Sequence, residues 1–112
     1  MEPCTQPTPP GAPQLTLQNI HVPAETTLPW HCHAAPSAAY VVAGTLEVET
    51  PSGKRISVGP GQTLAEVANT VHRGRTGKQP VELLMFTAGN AGVPLSTPAP
   101  ACQANTLHCL CE

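Results

Sequence analysis

Trp30-His31-Cys32-His33-Ala34-Ala35-Pro36-Ser37-Ala38-Ala39-Tyr40-Val41-Val42-Ala43-Gly44-Thr45-Leu46-Glu47-Val48-Glu49 is the stretch whose reading decides the fold. In extended backbone, residues i and i+2 project to the same face. His31 and His33 therefore share a face and Cys32 points the other way. If the histidines face inward, the same register turns Ser37, Ala39, Val41 and Ala43 inward. All four are small, which leaves room beside the imidazoles. After Gly44 the alternation is clean. Leu46 and Val48 lie on one side, Glu47 and Glu49 on the other, and Pro51-Ser52-Gly53-Lys54 follows as a hairpin turn.

The same rhythm runs outward from this stretch. Strands are expected over 15–22, 26–33, 38–43, 45–50, 55–58, 63–67, 71–76 and 81–87. Gly59-Pro60-Gly61 marks a second tight turn. Fourteen prolines and nine glycines leave no room for a long helix. With 40% hydrophobic but only 3% aromatic residues, the core must be built of Val, Leu, Ile and Ala. A chain of 112 residues carries one such core. Val81 to Phe86 is apolar on both faces apart from Glu82, as befits a strand between the interior and a second layer or a partner subunit. Residues 1–14, with five prolines and little apolar bulk, read as a flexible lead-in, 15–95 as the folded domain, and 96–112 as a disordered tail.

These features together resemble the cupin family. Its first motif runs glycine, five residues, HxH, three or four residues, glutamate, six residues, glycine; its second runs glycine, five to seven residues, Pro-x-Gly, two residues, histidine, three residues, asparagine. His31, His33 and Gly44 fall on the first motif and Gly61 and His72 on the second, with a short spacing between Gly44 and Gly61. The resemblance covers about residues 15–95. It implies an all-β fold, a small single-domain jelly-roll β-barrel, with one divalent metal ion (Fe, Zn, Mn, Ni or Cu) held by His31, His33 and His72. It also implies a small-molecule ligand or substrate and a homodimer paired through outer sheets.

The chain departs from the family pattern at Glu25 and Asn69, where glycines are usual, at Val67, where proline is usual, and at Thr76 in place of asparagine. The departure that bears on chemistry is Ser37, at the position of the liganding glutamate. Three neutral imidazoles remain, a set that suits several divalent metals. Glu66, six residues before His72, is the available replacement carboxylate, as a ligand or as a general base; read otherwise, it is a solvated rim residue. Parity cannot be carried to it through the intervening turn.

Two functional classes follow from this reading. One is a metal-dependent enzyme, such as a small-molecule dioxygenase, with Glu66 moving protons. The other is a non-catalytic binding or sensing module, with a dimerisation domain bearing a vestigial site behind it. A net charge of −2 and 11% charged residues provide no basic field for nucleic acid. No apolar run approaches the roughly 20 residues that span a bilayer. Met1-Glu2-Pro3-Cys4 has neither the basic start nor the apolar run of a signal peptide, so a cytoplasmic protein is expected. Five cysteines, an odd number crowded toward the end, read as thiols of a reducing compartment. Arg73 and Arg75 should share the face opposite His72. Trp30 should pack on the outer face, His21 should sit at the surface, and His108-Cys109-Leu110-Cys111 is a weak metal motif.

Overall fold

A computed structural model describes residues 11–66 and 68–102. Most of the expected lead-in, Val67, and the tail from 103 onward, with its His108-Cys109-Leu110-Cys111 motif, lie outside the described residues. The chain is all-β: β1 (Pro13–Val22), β2 (His31–Cys32), β3 (Ser37–Ala43), β4 (Leu46–Glu49), β5 (Arg55–Val58), β6 (Thr63–Glu66), β7 (Arg73–Arg75), β8 (Val81–Asn90) and β9 (Thr97–Pro98), with a 3-10 turn over Ala99–Ala101. Among the described residues, no helix is long and apolar enough to cross a membrane.

Antiparallel ladders order the strands β1-β8-β3-β6 in one sheet, β5-β4-β7 in a second and β2-β9 in a third. Among the described residues the hydrogen bonding forms these separate sheets and does not run around a closed barrel. β8, apolar on both faces, takes the interior position of the large sheet between β1 and β3. Its inner residues Val81 and Leu83 are buried, while Phe86 on the outer face is exposed. Val22, Ala39, Val41, Val81 and Leu83 of the large sheet meet Leu46 and Val58 of the smaller one in a single core cluster. The two sheets therefore bury a common apolar layer.

The expected hairpin forms at Thr50 to Lys54, where the Thr50 and Gly53 amides donate to the Lys54 and Thr50 carbonyls at 2.9 Å each. Gly44 adopts φ +80°, and a Cβ there would collide with the Pro80 carbonyl. Only glycine suits that corner.

Several expectations change. The stretch 26–33 is a strand only at His31–Cys32, because Pro29 has no amide to donate and Glu25 sits at φ 54°. A register shift between Val41 and Ala43 turns Ala43 outward, so Ser37, Ala39 and Val41 face in and Ala43 does not. β1 begins at Pro13, within the expected lead-in, and residues 97–101, assigned from sequence to the tail, form β9 and the 3-10 turn. The largest correction concerns the cysteines. Cys32 and Cys102 form a disulfide across 70 residues of chain. Closing a loop of that length stabilises by about 4 kcal/mol in the chain-entropy account. No hydrophobic or turn pattern could have singled out that pair among five.

Candidate metal centre

The three histidines come from two segments joined by the backbone. His31 and His72 exchange amide-to-carbonyl hydrogen bonds at 2.9 Å in both directions. They form an antiparallel pair whose side chains stand next to one another. His33 follows on the same face by strand parity, while Cys32 points away to its disulfide. The imidazole centroids lie 4.5 to 5.1 Å apart. One nitrogen from each ring falls within 4.8 Å of the others, a separation a single ion can bridge.

Hydrogen bonding fixes which nitrogen faces the shared space. His31 Nδ1 donates to the Pro29 carbonyl at 2.9 Å, His33 Nδ1 to Leu95 at 2.7 Å and His72 Nδ1 to Thr70 at 2.9 Å. A carbonyl oxygen can only accept, so each Nδ1 carries the hydrogen and each Nε2 of a neutral ring presents a lone pair. Such an outer hydrogen bond is the usual partner of a metal-bound imidazole.

Glu66 completes the cluster. Its Oε2 is 2.8 Å from His72 Nε2 and its Oε1 3.4 Å from His33 Nε2, with each of these three side chains 9% exposed. Yet His33 Nε2, His72 Nε2 and Glu66 Oε1 are buried atoms with no aligned hydrogen-bond partner. Lone pairs facing lone pairs at this distance need positive charge between them. Without a metal, a proton supplies it. Contact with Glu66 raises His33 above its ordinary value against the effect of burial. Burial lowers His72, but Glu66 outweighs it and the net shift is upward. Burial also opposes the charge on Glu66, but the two imidazoles hold its carboxyl at about 2. His31, more open and farther from the carboxylate, is lowered by burial. A divalent ion fits the place these protons would occupy, and the donor set suits it.

Register explains the glutamate. Ser37 and Glu66 are direct partners across β3 and β6. A carboxylate therefore stands one strand over from position 37, on the same face. Ser37 instead hydrogen-bonds its other cross-strand partner, Thr87, at 3.3 Å between hydroxyls.

Elsewhere, Arg73 and Arg75 pair with Glu49 and Glu47 at 2.7 and 2.9 Å away from the site, and Arg73 lies 4.2 Å over the Trp30 ring. His21 stays at the surface, 3.9 Å from Glu82. Leu95 and Ser96, not anticipated from sequence, line a cavity of about 200 Å³ that opens onto the histidines. No local pattern marks them, because long-range contacts, the β2-β9 pairing and the disulfide among them, bring that segment over the site.

The profile of the cupin domain family matches residues 19–87. No curated protein is significantly similar in sequence. Among solved structures, the DMSP lyase DddQ from Ruegeria pomeroyi superposes with a TM-score of 0.68 at 23% identity, over 75% of this chain and 42% of its own length. The polyketide cyclase RemF from Streptomyces resistomycificus gives 0.66 at 24% identity over 79% of this chain and 62% of its own. A point mutant of the oxalate decarboxylase OxdC from Bacillus subtilis gives 0.64 at 17% identity over 75% of this chain and 24% of its own. At such identities the likeness is one of fold. The chain spans less than half the length of the lyase, and the activities of these neighbours differ. With the matched family profile covering more than half the chain around the histidine cluster, the protein belongs to the cupin domain family.

Proposed function

We propose that the chain is a mononuclear metal-dependent enzyme acting on a small molecule, with His31, His33 and His72 binding the ion through Nε2. Glu66 is the proton-moving residue beside it. The observation that supports this is the convergence of three imidazoles, each anchored through Nδ1, and one carboxylate, with His33 Nε2, His72 Nε2 and Glu66 Oε1 buried and without hydrogen-bond partners. A bound divalent ion supplies Lewis acidity and, for iron or copper, electron-transfer chemistry. The protein's own share is to fix the three rings, hold Glu66 ionised next to them and enclose the reacting molecule in the adjoining cavity. We read the two larger sheets as the halves of a jelly-roll barrel around it.

Elemental analysis of untagged protein tests the site. About one metal per chain is expected, lost in His31→Ala and in His72→Ala; no uptake of Fe(II), Zn or Mn by the wild type would overturn the reading. Metal-loaded protein that consumes neither dioxygen nor any candidate small molecule would leave a binding module instead of an enzyme.

The outer face of the large sheet exposes Leu17, Tyr40 and Phe86 at 67, 45 and 42%. Leu17 and Phe86 are direct cross-strand partners. We assign this face to a second copy of the chain, as the family resemblance implies. Phe86→Lys should halve the mass seen in sedimentation, and a wild type already monomeric at micromolar concentration would refute the assignment.

A further inference from the structure

The cavity beside the histidines has a composition that selects a ligand. Its inner wall on the large sheet is laid out in rows by the strand register. Thr87, Ser37 and Glu66 form the row level with the imidazoles. The next row runs Gln18, Met85, Ala39, Leu64, and the one after it Ile20, Leu83, Val41. Polarity thus falls away from the histidine end within two rows, and Leu46 of the smaller sheet joins Val41 and Leu83 in the core cluster at the apolar end. The small side chain of Ala39 keeps the middle row open.

Charge narrows the choice further. The chain has five basic side chains besides histidine: Lys54, Arg55, Arg73, Arg75 and Lys78. None lines the cavity. The three arginines are held by Glu47 and Glu49 on the opposite face of the smaller sheet. The only charged group in the described wall besides the imidazoles is the Glu66 carboxylate. A dicarboxylate or a phosphate carries two negative charges, one more than a divalent ion beside Glu66 balances, and the wall holds no lysine or arginine to take up the excess. An apolar cavity of about 150 Å³ accommodates one benzene, so this one, at about 200 Å³, takes roughly eight non-hydrogen atoms.

Resting on the metal-site reading above, we propose that the ligand is a small, uncharged, largely hydrocarbon molecule with one oxygen function, such as a phenol, an alcohol or a ketone. Its oxygen lies at the imidazole and Glu66 end, and its hydrocarbon body lies against Ile20, Leu46 and Leu83.

The test uses the full metal-loaded chain, its metal content measured first, titrated separately with phenol, cyclohexanone, oxalate and inorganic phosphate by calorimetry and by NMR of side-chain methyl groups. Phenol and cyclohexanone should bind at least tenfold more tightly than either anion and shift the methyl signals of Ile20, Leu83 and Met85. Ala39→Leu should weaken that binding at least tenfold with metal content unchanged. Ala39→Val, a smaller intrusion suited to a strand, serves the same purpose should Leu disrupt folding. Tighter binding of oxalate or phosphate, neutral binding that leaves those methyls unmoved, or no binding at all would overturn the assignment. The two readings separate cleanly. A chain that holds no metal yet takes phenol into the cavity sinks the metal site and keeps the ligand class, and a metal-loaded chain that prefers oxalate does the reverse.

Discussion

Glu66 and Glu49 are both carboxylates withdrawn from solvent and set among basic groups, but the two clusters are built on opposite terms. Glu49 accepts from Arg73 Nε at 2.7 Å and from Arg75 Nη1 at 3.4 Å, with Arg55 Nε 3.4 Å from its other oxygen. Guanidinium groups stay charged at any working pH, so this cluster is permanently satisfied and needs nothing from outside. Glu66 faces imidazoles, which can give up their protons, and its cluster contains three buried atoms without partners, one of them its own Oε1. The satisfied cluster ties together the three strands of one sheet, whereas the unsatisfied one has room for a further charge.

Metal content is where the two clusters should differ most. His31→Ala and His72→Ala should abolish metal binding, and Glu66→Gln should weaken it by roughly tenfold to a hundredfold, the usual cost of losing a group that supports a metal site. Glu49→Gln should leave affinity untouched. A competitive chelator titration of the four variants checks this. Loss of metal in Glu49→Gln would erase the distinction between structural and functional cluster.

The disulfide should separate them next. Cys32 lies between two of the histidines, and its bond to Cys102 secures the segment whose Leu95 carbonyl orients His33. Cys102→Ser should lower unfolding stability by up to about 4 kcal/mol. It should also broaden the ring signals of His33 in NMR, with the arginine signals around Glu49 unchanged. Identical denaturation midpoints with and without dithiothreitol would show that the clasp contributes nothing.

Much of the first cluster was legible in the sequence and little of the second. His31 and His33 share a face by strand parity alone, and His72 follows from the spacing of a second motif. Glu66 could be suspected but not placed, since its direct opposition to Ser37 depends on a β3-β6 register established across two intervening strands. The pairing of Glu47 with Arg75 and of Glu49 with Arg73 is likewise a property of the β4-β7 register. Alternation reveals which face a residue takes but not its neighbour on that face. Inward parity extends through Val41 and fails at Ala43, where a bulge shifts it. Cys32–Cys102 and the strand at Thr97–Pro98 escaped for a related reason: a two-residue strand has no periodicity to read, and five cysteines carry no mark of their partners.

Acid should reveal the Glu49 cluster. Chiefly through its hydrogen bond with Arg73, aided by the charges of Arg73, Arg55 and Arg75, the Glu49 carboxyl is held below its ordinary value of 4.5. A carboxyl depressed in the folded state contributes stability that is present above the unfolded value and is lost as pH falls through the folded one. Glu49→Gln should therefore melt at a lower temperature than the wild type at pH 7, and the gap should close as pH is taken below 4.5. A gap that is constant with pH would mean that packing, not charge, accounts for the effect.

The smallest effect lies in the backbone at the two positions where the family motifs carry glycine. Glu25 and Asn69 both hold positive φ, at 54° and 61°, so the left-handed geometry is kept without the residue that suits it. Asn69 borders the histidines, its amide donating to the His33 carbonyl at 2.7 Å, and asparagine tolerates this conformation. Glu25 lies toward the arginine-bearing β7, its amide donating to the Gly77 carbonyl at 2.7 Å, and a glutamate side chain has no such tolerance. Glu25→Gly should stabilise by about 0.5–1 kcal/mol, the relief of that strain less the added freedom of the unfolded chain. Asn69→Gly should change stability by less. Thermal melts of both variants, run with and without metal, decide it. An equal gain at both positions would show that side-chain identity does not matter in the left-handed region here, and a gain at Glu25 accompanied by altered metal affinity would show that this corner communicates with the site after all.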